Sequence, residues 1–152
     1  MWSVELNSPE ETTALGRRIG EVVRAGDLIA LNGDLGAGKT ALSQGVGRGL
    51  GVTGPITSPT FVIICCYEMG RLPLYHADLY RLGDGSELQE LGLDEMMLGD
   101  GVTLIEWASR FDEELPEDRL NVTIEHVGDW SRRLTAEATG PASRALLDRI
   151  RG

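Results

Sequence analysis

Leu28-Ile29-Ala30-Leu31-Asn32-Gly33-Asp34-Leu35-Gly36-Ala37-Gly38-Lys39-Thr40-Ala41-Leu42 joins a short apolar run, a glycine-rich bend and the start of a periodic segment. A continuously apolar run of that length suits a central strand covered on both faces. The bend matches G-x-x-x-x-G-K-[ST] from Gly33 to Thr40 at every fixed position. Glycines at 33, 36 and 38 permit positive φ and keep side chains out of the space between backbone and ligand. Successive amides then point inward, and the helix opening near Lys39 adds its own unpaired N–H groups. Strand, bend and helix together are the context a phosphate-binding loop requires.

The residue types divide the work. Lys39 suits the β- and γ-phosphates, and the Thr40 hydroxyl suits Mg²⁺. Ala41 lies in the first helical turn, where its amide reaches the α-phosphate. Lys39 is the only lysine in the chain, placed where the chemistry needs one.

Working outward, Ser8 caps a first helix, Pro9 takes its first position and Glu11 completes a capping box. Leu15, Ile19, Val22 and Val23 recur at helical spacing, and Gly26 supplies a stop. Leu42, Val46 and Leu50 mark a second helix. Gly45, Gly47 and Gly49 interrupt it, each costing up to ~1 kcal/mol relative to alanine. Packing or bound nucleotide, not propensity, must hold this helix. Gly51 to Pro59 is turn-rich.

Strands are expected at Phe61–Tyr67, Leu72–Ala77 and Val102–Ile105, and a helix at Ser86–Met97. Leu120–His126 and Arg133–Ala138 alternate as an antiparallel pair around Gly128-Asp129, and Ala142, Leu146 and Ile150 align on a last helix. This alternation predicts one α/β domain over residues 1–152. Its expected form is a three-layer, P-loop NTPase-like fold, with a mainly parallel central sheet and some antiparallel strands.

Of 152 residues, 41% are hydrophobic and 25% charged, an ordinary globular balance. No apolar run approaches the roughly 20 residues of a bilayer-spanning helix. The amino end lacks a secretory signal pattern, so a cytoplasmic protein without a membrane partner is expected. Cys65 and Cys66, adjacent, form no metal-type pair and read as small apolar residues on a buried strand, with a redox role as the alternative. Net charge is −10, from 14 basic and 24 acidic residues. With no basic run, any nucleic acid involved is expected to be engaged through a partner.

Phosphoryl transfer also needs acids to hold metal and position water. Glu106 directly follows the Val102–Ile105 strand, where ligands gather in parallel sheets; the alternative is a solvated strand-end carboxylate. Asp78, in His76-Ala77-Asp78-Leu79-Tyr80-Arg81, is a second candidate, or else a salt-bridge partner of Arg81. Ser58 and Thr60 sit on a proline-braced loop that resembles a switch loop, or an ordinary turn with capping hydroxyls. The acidic stretch Asp112 to Asp118 reads as a solvated loop, with docking of a basic partner as the alternative.

GDLGAGKT, TSPTF, HADLYRL and LIEW, in this order and at these separations, resemble the TsaE family of small bacterial ATPases. With SPEETTALG, the likeness spans most of the chain. It implies a part in making threonylcarbamoyladenosine in tRNAs that read codons beginning with A. In that family the protein is not the transferase. It joins TsaD and TsaB, meets tRNA through that complex, and hydrolyses ATP to sustain continued cycles.

Carried over, the phosphates fall to Lys39 and the backbone from Gly36 to Ala41, within a nucleotide-binding run that includes Gly33, Asp34 and Leu35. Magnesium falls to Thr40. Glu106 and Asp78 stand at the metal or the attacking water, so that Lys39, Glu106 and Asp78 are the expected catalytic residues. Trp107 lies near the nucleotide, and Ser58 and Thr60 match the switch-like loop. The base is expected between Pro9–Thr12 and Gly128-Asp129-Trp130, which makes Trp130 a nucleotide contact. Competing readings are a small-molecule kinase on a similar core and a nucleotide-gated assembly factor. The kinase needs an arginine-rich lid that is not evident here.

Overall fold

A computed structural model describes residues 1–33, 38–54, 64–79, 99–111 and 113–152. Seven strands form one sheet: β1 (Trp2–Leu6), β2 (Leu28–Gly33), β3 (Ile64–Tyr67), β4 (Leu74–Asp78), β5 (Val102–Glu106), β6 (Leu120–His126) and β7 (Arg132–Ala138). Among the described residues, three α-helices accompany them: α1 (Pro9–Val22), α2 (Lys39–Leu50) and α3 (Pro141–Arg151). A 3-10 turn spans Ala108–Phe111. Among the described residues, no helix is long and apolar enough to cross a membrane.

The strand order is β1-β7-β6-β2-β5-β4-β3. The β2–β6, β2–β5 and β4–β5 pairs are parallel, while β1, β7 and β3 join antiparallel at the flanks. The expected α/β sheet, parallel in its centre with antiparallel additions, is therefore observed. The hairpin forms with Leu120 opposite Ala138 and His126 opposite Arg132.

Both faces of the central strands are covered, which accounts for their unbroken apolar runs. Ile29 and Leu31 of β2 join Val102 and Leu104 of β5 in a cluster with Ile19 of α1, Leu42 and Val46 of α2, and Leu146 of α3. Leu28 and Ala30 face the other way, toward Ala77, Leu79, Ile105, Phe111 and Leu115. Each such Leu or Ile, fully buried, contributes roughly 1.5–3 kcal/mol.

Four local expectations need correction. Strand β1 was not expected, although Trp2, Val4 and Leu6 alternate with Ser3 and Glu5; the strand adds to β7 along its full length. Ser8 does cap α1, its hydroxyl accepting from the Glu11 amide at 3.1 Å, but the Glu11 carboxylate reaches back to the Asn7 amide rather than to that of Ser8. The helix ends at Val22, before Gly26, which takes its positive φ in the turn beyond. Cys65 and Cys66 lie on the edge strand β3, half-buried and exposed respectively, with Cys66 Sγ 3.8 Å from a Glu68 carboxylate oxygen. The expected helix at Ser86–Met97 and the Phe61–Ile63 part of the second strand lie outside the described residues.

Gly45 and Gly49 of α2 have a packing cause. A Cβ on Gly45 would stand 2.2 Å from the Thr13 carbonyl oxygen, and one on Gly49 would stand 2.1 Å from that of Arg17. Across the contact, Gly16 and Gly20 of α1 meet the carbonyls of Leu42 and Val46 at 2.4 and 2.1 Å by the same measure. The two helices touch backbone to backbone, a closeness that only absent side chains allow. The last carbonyls of α1 are satisfied from afar: Arg71 donates to Gly20 and Val23 at 2.9 Å each, and Arg149 to Val22 at 2.8 Å.

Part of the acidic stretch also departs from expectation. Asp118 is a distant cap for α3, accepting from the Ala142 amide at 2.8 Å, the Ser143 amide at 3.0 Å and the Ser143 hydroxyl at 2.7 Å. Desolvation pushes its pKa up. The Ser143 and Ala142 bonds and the Arg144 charge outweigh that and hold it below its ordinary value of 3.8.

Two outcomes follow. Gly49→Ala should lower stability in a denaturant melt by about 1–3 kcal/mol from overpacking, despite the gain of up to ~1 kcal/mol in helix propensity. A variant as stable as the parent would mean that the helices are not in backbone contact. Asp118→Ala should cost about 1 kcal/mol at neutral pH, the worth of a lost cap. Because the native pKa is depressed, this contribution is present above 3.8 and fades as pH falls through the native value. Melts that differ equally at neutral pH and well below that value would contradict the cap.

Candidate functional site

Strands β4, β5 and β2 lie side by side and parallel, so their carboxyl ends form one edge. Asp78 pairs with Glu106, and Glu106 pairs with Leu31, two residues before Gly33. Sheet register alone thus brings two carboxylates beside the end of β2, just before the glycine-rich segment.

Gly38 has a φ of 110°, the left-handed conformation glycine tolerates. Helix α2 begins at the next residue, and Gly38 offers no side-chain cap to its first amides. Such amides form an anion site at the positive end of the helix dipole.

Lys39 is only 6% exposed. Its ammonium donates to the Gly33 carbonyl at 2.7 Å and lies 3.6 Å from the centroid of the Trp107 ring. A buried cation needs such partners, and an indole face supplies one through its quadrupole. Trp107 is the only non-glycine residue with positive φ among those described, at 61°. For a bulky side chain this conformation costs roughly 1–2 kcal/mol. It is held by the Trp107 amide donating to Leu31 at 3.1 Å, and strain of this kind collects at functional sites.

Glu106 is buried, 2% exposed, and its Oε2 meets His76 Nε2 at 2.5 Å. This rules out the solvated strand-end alternative. Asp78 is half-buried at the end of β4. The pairing of His76 with Glu106 was missed from the sequence, although the spacing of His76 and Asp78 puts both on one strand face. Thr40 is exposed in the first turn of α2. Arg81, the alternative partner of Asp78, lies outside the described residues, as do Asp34, Leu35, Gly36, Ala37, Ser58 and Thr60.

On the far side of the α2 start, Ser8, Pro9, Thr12, Gly38, Ala41, Asp129, Trp130 and Arg132 line a cleft of about 190 Å³. Ser131 donates to the Asn7 side chain at 3.2 Å, which ties the β6–β7 turn to the entry of α1. The Trp130 ring is 79% exposed at the rim. The cleft is smaller than the roughly 300 Å³ of a small drug-sized site, so it suits one planar ring rather than a whole ligand. The two segments expected to flank a base thus come together beside Gly38 and Ala41.

Among the described residues, no three His, Cys, Asp or Glu side chains cluster as a metal cage. A hydroxyl and two carboxylates suit a hard ion that keeps several waters and takes phosphate oxygens.

Comparison with known proteins agrees with this architecture. Residues 6–134 match the family model described as "Threonylcarbamoyl adenosine biosynthesis protein TsaE". The tRNA threonylcarbamoyladenosine biosynthesis protein TsaE of Bacillus subtilis (strain 168) is 46% identical over 143 residues, covering 94% of this chain and 89% of the relative. The protein of the same name from Streptomyces coelicolor is 51% identical over 133 residues, covering 83% and 89%. The crystal structure of Bacillus subtilis YdiB superposes with a TM-score of 0.84 at 39% identity, covering 99% of this chain and 93% of that one. With most of its length matched by the family model and by these relatives, the chain belongs to the TsaE family of threonylcarbamoyl adenosine biosynthesis proteins.

Proposed function

We propose that this chain binds and hydrolyses MgATP as the ATPase component in the synthesis of threonylcarbamoyladenosine in tRNA, supporting a TsaD–TsaB transferase rather than performing the transfer. The observation that carries this reading is the buried Lys39 ammonium at the first residue of α2, with Glu106 and Asp78 on the two neighbouring strand ends. A buried ammonium with strand-end carboxylates beside it suits a magnesium-bound triphosphate.

The roles follow from placement. Amides of the bend and of the first turn of α2 receive the phosphate oxygens, and Lys39 adds positive charge toward the β- and γ-phosphates. Thr40 and the carboxylates of Asp78 and Glu106 are the side chains that would hold magnesium, which when bound offsets charge on the phosphates during transfer. Glu106, buried and oriented, positions the attacking water. The cleft between Thr12 and Trp130 takes the base, with the indole as a stacking face.

A net charge of −10 and the absence of a basic run favour contact with tRNA through the partner proteins, in a cytoplasmic setting. Turnover is expected to depend on those partners. The alternative of a small-molecule kinase would show as phosphate transfer to a hydroxyl compound in place of water.

The test is hydrolysis and tRNA modification in a mixture of this chain, TsaD, TsaB, ATP and unmodified tRNA. Lys39→Ala should weaken MgATP binding by about 1.5–3 kcal/mol, the worth of a charged hydrogen bond, and abolish nucleotide-dependent modification. Calorimetry showing unchanged affinity would remove Lys39 from the site. Glu106→Ala should lower turnover roughly 10²–10³-fold while changing affinity much less. Equal hydrolysis by this variant and the parent, partners present, would remove Glu106 from the chemistry.

A further inference from the structure

Glu106 is fixed from two directions. Its carbonyl accepts from the Leu79 amide at 3.1 Å, and the next amide, Trp107, donates to Leu31 at 3.1 Å, so β4 and β2 hold its backbone on both sides. Its side chain is gripped separately. His76 is fully buried at 0% exposure, and its Nε2 stands 2.5 Å from Glu106 Oε2.

The register explains the approach. Asp78 is directly opposite Glu106, and His76 is opposite Leu104, two residues deeper in the sheet. The imidazole therefore reaches the carboxylate from the core side, while Asp78 stands at the strand end. With the Glu106 oxygen as acceptor, Nε2 is the ring nitrogen that presents its hydrogen. Nδ1 has no hydrogen-bond partner among the described residues.

We propose that His76 is a positioning residue: its Nε2–H, bonded to Glu106 Oε2, holds that carboxylate in the one orientation from which it serves the reaction. This rests on the ATPase reading of Glu106 given above. Oε1 is left out of this bond and is the oxygen available to metal or water. His76 itself has no exposed surface to offer a ligand. Its effect passes through Glu106, and a small misplacement of such a group is enough to slow a reaction strongly.

The experiment compares the parent, His76→Leu, His76→Gln, Glu106→Gln and the His76→Leu/Glu106→Gln double variant. It measures MgATP affinity by calorimetry and kcat for ATP hydrolysis with the partner proteins present. His76→Leu should lose about tenfold to a hundredfold in kcat, with affinity within about threefold of the parent. His76→Gln, which keeps a side-chain N–H, should recover most of that loss. In the Glu106→Gln background, His76→Leu should change kcat by less than about twofold, because the carboxylate that His76 orients is absent there.

An unchanged kcat in His76→Leu, or losses that multiply independently in the double variant, would overturn the inference. Should His76→Leu not fold, imidazole ¹⁵N spectra of the parent decide. A ring protonated at Nε2, whose signal moves in Glu106→Gln, supports the positioning role, and a ring protonated at Nδ1 alone overturns it. A parent that hydrolyses no ATP with its partners overturns the ATPase reading itself, a result seen without any variant.

Discussion

An ammonium group withdrawn from water at the carboxyl edge of a parallel sheet is the constraint on which the rest of this structure depends. Lys39 is 6% exposed and leans on the Gly33 carbonyl and the Trp107 ring. Removing a charge from water is expensive unless partners replace the solvent. The sheet provides them by geometry. Strand β2 ends in the carbonyl, and β5, its neighbour, ends in Glu106 and then Trp107. Even the unfavourable backbone conformation of Trp107 serves this arrangement, because it turns the chain where the indole meets the cation.

The same edge is kept rigid from below. Asp78 and Glu106 are paired residues of adjacent strands, and the His76–Glu106 contact sits one layer inside them. Groups so placed do not need to be ordered when a ligand arrives, which is the advantage of preorganised electrostatics. The cleft on the other side of Gly38 is built differently. It lies between a helix entry and a hairpin turn, joined by the Ser131–Asn7 hydrogen bond, and its large side chain, Trp130, stands in solvent. One half of the site is therefore packed core and the other half surface.

Helix α2 links these halves, and its glycine-rich sequence has a structural reason. Gly45 and Gly49 meet Gly16 and Gly20 of α1 with carbonyl oxygens where Cβ atoms would be. Propensity is given up to bring the helices close. The start of α1 lines the cleft and the start of α2 holds Lys39, so this contact sets the distance between them. A sequence reader sees only the cost of those glycines, because the gain lies on another element.

Sequence by itself determined what is local. Leu28–Leu31, Val102–Ile105 and the 120–138 hairpin are legible because covered strands are apolar throughout and half-covered strands alternate. The segment from Gly33 to Thr40 stands out because a phosphate-binding loop calls for glycine, lysine and threonine at set spacing. Strand β1 escaped despite its alternation, since five residues beside a helix cap carry little signal until β7 pairs with them. Only tertiary structure decided what depends on partners distant in the chain. These include the meeting of Lys39 with Trp107, of His76 with Glu106, and of Asp118 with the start of α3. Asp118 shows the reason: an acid in a run of acids looks solvated until the fold brings helix amides to it. Hydrogen bonds and buried charges are settled by proximity in space, and sequence spacing reports proximity only within one element.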